Sequence, residues 1–355
     1  MRCKLSDIAE VIMGQSPKSQ YYNSVGVGTP FLQGNRTFGF KRPVFDTYTT
    51  VVTKKASAGD VIMSVRAPVG DINITPVDIC LGRGVCSLRM KNGNQEFLYY
   101  LMKYYMPQLI NKESGTVFGS VNRNDIRGLE IDIPESASSQ REIARYMTML
   151  DDKIELNIAI NNNLADQAQA IYHQYFVIEA SLSWPLGHLS DLVEVKYGKD
   201  HKKIADGIYP VYGSGGIMRY VERPLYKNES VLIPRKGSLN NVMYVNQPFW
   251  SVDTMFYTEM KQPNVAKFVY HFIKSKDLAS MNAGSAVPSM TTAILNSLEL
   301  SIPSAEALKH FETLVTPMYE MMLKNEEQSH KLAELRNALL PKLMSGKIDV
   351  STLDL

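Results

Sequence analysis

The chain is predicted to be α+β, with two globular mixed α/β parts in a pseudo-twofold repeat, separated by two long helices packed as an antiparallel coiled coil. Three observations in its 355 residues carry this prediction. Leu5-Ser6-Asp7-Ile8-Ala9-Glu10-Val11 recurs as Leu189-Ser190-Asp191-Leu192-Val193-Glu194-Val195, and Gly14 recurs as Gly198. Gly115 to Pro134 aligns without a gap on Gly284 to Pro303, both copies ending in a strand-like Leu-Glu run before proline. After each proline comes a tract with apolar residues in four-three spacing, the signature of a coiled-coil seam.

The first tract places Ile143, Met147, Leu150, Ile154, Leu164, Ala168, Ile171 and Tyr175 on its seam, with Asn157 and Asn161 between. The second runs Phe311, Val315, Met318, Met322, Asn325, Ser329, Leu332, Arg336, Leu339 and Leu343, a constant 168 residues later. A tract such as 139–176 is roughly 55 Å long as a helix. Polar residues inside a seam cost stability and fix register. Packed antiparallel about their midpoints, the helices bring Asn161 to Asn325 and Asn157 to Ser329. Within the globular parts, Val61–Val65 and Ser230–Ile233 read as buried strands entered from turns. Phe97–Tyr105 and Val265–Ile273 read as short amphipathic helices whose aromatics belong to the core.

Charge is distributed more tellingly than its net value of +2. From Thr29 to Lys91 there are nine Lys and Arg against four Asp and Glu, and Lys196 to Asn240 repeats that balance. Glu135 to Ala180 reverses it, with three basic against seven acidic. Two basic surfaces joined by an acidic spacer suit a polyanion gripped at two places. Lys and Arg neutralise phosphates, whereas Arg, Asn and Gln also read base edges. The candidate DNA-binding residues lie on loops: Gln33, Asn35, Arg36, Lys41, Arg42, Arg66, Ser120, Asn122 and Arg123 in the first half. In the second half they are Lys199, His201, Lys202, Lys203, Ser214, Arg219, Arg235, Lys236, Asn240, Asn241, Ser285 and Ser289.

Catalytic signatures are missing. Gly346-Lys347 lacks the upstream glycine of a phosphate loop, and Gly26-Val27-Gly28 lacks the third glycine of a dinucleotide fingerprint. Gly213-Ser214-Gly215-Gly216 reads as a flexible loop rather than a phosphate cradle. The six histidines show no metal-ligand spacing with the cysteines. Glu194-Val195-Lys196 resembles the end of a nuclease triplet, but an alternating strand explains it better. No Asn-Pro-Pro or Asp-Pro-Pro followed by an aromatic is present. Neither catalytic nor metal-binding residues are therefore expected. Met1–Glu10 is too charged for a signal peptide, no stretch is suited to span a membrane, and Cys3, Cys80 and Cys86 suggest a reducing compartment.

These features together resemble the specificity subunits of type I restriction-modification systems. The resemblance rests on the repeated Leu-Ser-Asp opening, Gly59-Asp60-Val61-Ile62-Met63-Ser64 with Arg66, and the Gly-Ser loops leading to Leu129–Pro134. It extends through Gln140-Arg141-Glu142-Ile143, Leu150–Glu155, and above all the closing Leu339-Leu340-Pro341-Lys342-Leu343-Met344-Ser345-Gly346. It covers essentially the whole chain. It implies target recognition domains at 1–138 and 179–303, a spacer helix at 139–178, and a second spacer helix with its tail at 304–355. It further implies a non-catalytic, prokaryotic and cytoplasmic chain that binds a split double-stranded DNA site. Two modification (methyltransferase) subunits would methylate adenines with S-adenosylmethionine, and restriction subunits would add ATP- and Mg-dependent translocation and cleavage. Half-sites one helical turn apart are some 34–36 Å between centres, within reach of the spacer. Two other readings remain open at this stage: the recognition chain of a related type II-like system, and a coiled-coil scaffold that does not bind DNA. A stand-alone methyltransferase is opposed by the missing motifs.

Overall fold

The computed structural model describes residues 1–110, 119–281 and 289–350. It divides into two compact units, one of residues 1–160 with 324–355 and one of 161–323. No helix among the described residues is long and apolar enough to cross a membrane.

The first unit is built on a four-stranded antiparallel sheet of β1 (Ala9–Met13), β2 (Val61–Ser64), β3 (Ile72–Ile74) and β4 (Val85–Met90), in the order β1-β4-β2-β3. Helix α1 (Gln95–Ile110) covers one face, longer than the expected 97–105. Val61 and Met63 point into the core shared with α1, whereas Ile62 points into a second cluster with Leu32, Ile79 and Leu81. Both faces of β2 are therefore covered, which is why its sequence is an unbroken apolar run. That second cluster lies under a five-stranded sheet of strands only two to four residues long.

The second unit repeats the plan with β5 (Val193–Tyr197), β6 (Ser230–Pro234), β7 (Met243–Val245) and β8 (Met255–Met260), in the order β5-β8-β6-β7. Val231 and Ile233 again face one cluster, with Phe268 and Val269 of a covering helix (Ala266–Lys274), and Leu232 faces another. Gly213-Ser214-Gly215-Gly216 is not a flexible loop. Gly213 pairs with Gly216 across an antiparallel hairpin, so Ser214 and Gly215 form its two-residue tip.

The repeated Leu-Ser-Asp motif has the same physical cause in both units. Leu5 and Leu189 are fully buried, and their amides donate to the Leu129 and Leu298 carbonyls, each at 2.9 Å. Asp7 and Asp191 accept hydrogen bonds from the amides three residues back, each at 2.8 Å, closing the start of a one-turn helix. Lys91 donates to the Ser6 and Asp7 carbonyls and Lys261 to the Ser190 carbonyl, satisfying the turn's end.

The long helices are α2 (Ala137–His173) and α4 (Ala305–Met344), with the covering helix α3 (Ala266–Lys274) between them in sequence. Every expected seam position is buried or half-buried. Within the first unit the two run antiparallel: Asp151 meets Arg336, and Asn157 donates to Ser329 Oγ at 3.1 Å. Within the second unit the sense is the same, with Asn161 donating to the Met322 carbonyl at 3.0 Å and Tyr175 bonding His310 at 3.1 Å. The end of α4 closes into the first unit's core through Leu340, Leu343 and Met344. There Gly346 (φ +69°) takes the left-handed position, and the Lys347 amide donates to the Lys342 carbonyl at 2.9 Å. That pattern ends a helix where only glycine sits without strain.

Candidate nucleic-acid interface

In the first unit the loops after β1, β2 and before β4 meet at one end of the sheet. They enclose an open polar cleft of about 860 Å³ lined by Lys18, Gln33, Asn35, Arg66, Arg83 and their neighbours. Arg66 forms an isolated antiparallel bridge with Ser120, so that candidate pair is adjacent in space. Lys18, Arg66 and Arg83 are exposed, and none makes an ion pair among the described residues. Lys18 and Arg83 were missed by sequence reasoning. The glycines on either side of Arg83 are the turn signal in the sequence that marks it.

In the second unit Lys236 bridges Ser289 as Arg66 bridges Ser120. The Arg235 guanidinium lies 5.3 Å from the centre of the Tyr197 ring, a cation–π contact that steadies it at the strand edge. Lys199, Lys202 and Lys203 are exposed on the loop after β5, with His201 half-buried among them. Asn241 donates to the Ser214 carbonyl at 2.7 Å, joining those two candidates.

One candidate, Lys41, is corrected, and several others are engaged within their own unit. Lys41 is only 1% exposed, with its ammonium 3.1 Å from Glu96 and 3.6 Å from Asp152; a buried, paired cation cannot reach a phosphate. Arg42 is turned to Glu155 and Arg36 to Asp46, so both are partly neutralised by their own unit. The Asn122 carbonyl oxygen accepts from the Asn124 and Asp125 amides as a helix N-cap, which occupies half of the fork needed to read adenine. Asn240 is engaged inside its loop, donating one hydrogen bond to Asp277 at 2.9 Å and accepting one from the Ala279 amide at 3.0 Å. Arg219 is turned to Asp206 and the Ile204 carbonyl. Arg123 opens the same short helix that Asn122 caps and is exposed. Ser285 lies outside the described residues.

Of the residues proposed to set helix register, Asn157 is 1% exposed and donates to the Asn325 carbonyl, Gln328 and Ser329. Glu194 and Lys196 contact each other along one edge of β5, as an alternating strand requires. Among the described residues no group of His, Cys, Asp and Glu is gathered as a metal site.

The family model described as the type I restriction modification DNA specificity domain matches residues 1–166 and again 183–326. A putative type I restriction enzyme MjaX specificity subunit of Methanocaldococcus jannaschii is 37% identical over 149 residues. That match spans 41% of this chain and 35% of the relative's length. The MjaIX specificity subunit of the same organism is 22% identical, over 99% of this chain and 94% of its own. The HindI specificity subunit of Haemophilus influenzae is also 22% identical, over 97% and 98%. A crystal structure of the S subunit of a type I restriction-modification system from M. genitalium shares the fold, with a TM-score of 0.62, 17% identity and coverage of 97% and 96%.

Proposed function

Because the chain belongs to the family of type I restriction modification DNA specificity domains, we propose that it reads a bipartite, asymmetric duplex DNA site, one half with each globular unit. The observation that carries this is the twofold occurrence, on one chain, of an exposed cation in an isolated backbone bridge with a serine beyond the end of a four-stranded sheet: Arg66 with Ser120, and Lys236 with Ser289. Exposed cations there neutralise phosphates, and neighbouring Gln33 offers a donor and an acceptor to base edges, whereas the Asn35 amide nitrogen is held by Asp71 and the Pro68 carbonyl and leaves only its side-chain oxygen as an acceptor.

The chain supplies recognition and leaves catalysis to its partners. Modification subunits holding S-adenosylmethionine would methylate adenines in the recognised site, and restriction subunits would use ATP and Mg. Within the first unit the long helices offer them exposed apolar side chains: Leu156 and Leu335 are each about half exposed, at 51% and 47%. Exposed apolar side chains along one pair of helices suit a protein partner. The alternatives are not favoured, since the relatives named above are all type I specificity subunits.

The test is to sequence methylated adenines in cells that carry this chain with its modification partner. A split motif with a fixed gap is expected; a continuous motif, or none, would refute the reading.

A further inference from the structure

The hydrogen-bond frame around the sheet end is the same in the two units, residue for residue. Gly14 and Gly198 donate to the Val85 and Met255 carbonyls, both at 3.0 Å. Val65 and Arg235 donate to the Gly84 and Thr254 carbonyls, both at 2.9 Å. Val85 donates to the Gly82 carbonyl at 3.1 Å, and Met255 to the Val252 carbonyl at 2.9 Å, closing one turn in each unit. The repeated glycine is explained by that turn. A Cβ on Gly14 would fall 2.0 Å from the Gly82 oxygen, and one on Gly198 would fall 2.0 Å from the Val252 oxygen.

At the tip of this turn the first unit carries Arg83 and the second carries Asp253, both exposed. Neither side chain has a hydrogen-bond or ion-pair partner among the described residues; the backbone is used instead, the Arg83 amide donating to Ser16 Oγ at 3.1 Å and the Asp253 carbonyl accepting from Arg235. The backbone is thus held rigidly while the tip is left chemically open, and the two tips have opposite charge. Arg83 sits in the cleft with Arg66 and Gln33. Asp253 stands on a loop whose bonded neighbour, Arg235, is a cation.

We propose that Arg83 and Asp253 are corresponding specificity-determining residues, Arg83 selecting a guanine in one half-site and Asp253 a cytosine in the other. The inference rests on the DNA-recognition reading above. An arginine can donate in pairs to guanine O6 and N7. A carboxylate would be repelled by phosphates, so at a DNA-facing tip its favourable partner is the donor amino group of cytosine N4.

The experiment is methylation sequencing in cells carrying the full chain with its modification partner, for Arg83→Ala, Asp253→Asn and Arg83→Asp. Arg83→Ala should relax one guanine position in one half of the motif, and Asp253→Asn one cytosine position in the other half. Discrimination at each position should fall by about tenfold to a hundredfold. Arg83→Asp should shift its position toward cytosine. If methylation weakens uniformly with an unchanged motif, Arg83 contacts phosphate only and the proposal is overturned. Changes in the wrong half, or none, overturn it too. Absence of a split motif with the parent chain would instead defeat the underlying reading. Gel-shift binding of the purified variants to the parental site, with circular dichroism, separates lost folding from lost specificity.

Discussion

Asp151 accepts a hydrogen bond from the Arg336 guanidinium at 2.6 Å and another from the Tyr100 hydroxyl at 2.8 Å, with no exposure of its own side chain. Three helices of the first unit, α2, α4 and α1, are thereby tied at one buried carboxylate. The second unit solves the same problem without a buried anion there. His271 of α3 bonds the Tyr319 hydroxyl at 3.0 Å and Gln169 at 2.8 Å, joining its own three helices through neutral groups.

Removing Arg336 alone leaves Asp151 charged and buried, so Arg336→Met should destabilise the first unit by about 3–5 kcal/mol. The double change Asp151→Leu with Arg336→Met should recover only part of that loss, because Lys103, 3.9 Å from Asp151, and the Tyr100 hydroxyl lose their partner. Hydrogen exchange in Gln95–Ile110 reads the effect. Equal protection in parent and single variant would sink the assignment.

Burial lowers the His271 pKa from 6.5 to about 3, with Lys274 adding to the effect. Below about 6.5 the unfolded chain binds a proton that the folded unit does not. The contribution to stability is therefore full above that pH and is lost as pH falls toward about 3, at about 1.4 kcal/mol per pH unit. Trp184 and Trp250 both lie in the second unit, so tryptophan fluorescence during urea unfolding follows it. His271→Phe should flatten the profile between pH 4 and pH 6, about the middle of that window.

Asn157 is buried, and its side-chain oxygen has no hydrogen-bond partner among the described residues. A polar seam of this kind exchanges stability for a defined register. Replacing Asn157, Asn161 and Asn325 by Leu should raise the melting temperature while allowing the helices to pair in shifted registers. Calorimetry and disulfide trapping with engineered cysteines are the measurements; an unchanged melting temperature would contradict the role.

Leu343 is 1% exposed in the first unit's core. Leu343→Ala should cost about 2–5 kcal/mol, as for other buried leucines. The expected sign is faster hydrogen exchange in β2 and α1, although both lie more than two hundred positions earlier (Val61 and Gln95 against Leu343).

The helices and the repeat were legible because a four-three period and a recurring Leu-Ser-Asp motif are local signals. Burial at each seam position follows directly from that period. The strands of two to four residues around Phe31 and Ile79 were not legible, since they are too short to show alternation. Lys41 misled for a different reason. Its acceptors, Glu96 and Asp152, lie far along the chain, so a basic loop reads the same whether solvated or folded inward. Asn122 was legible in principle, because Asn-x-x-Asp is a capping box; it was read for its amide instead. Arg83 and Asp253 were hidden because they are unlike in chemistry. Only the shared backbone frame reveals them as counterparts.

The way α4 ends has a consequence for how the protein is made. The second unit is one continuous stretch, 161–323, and can collapse as soon as the ribosome has released it. The first unit begins at the start of the chain yet borrows core side chains from Leu340, Leu343 and Met344. Vectorial synthesis usually completes domains in order from the N-terminus. Here residues 1–160 must wait, apolar faces uncovered, until Leu340–Met344 has emerged. Truncation between residue 323 and Leu340 would leave the second unit complete and the first open to aggregation and proteolysis.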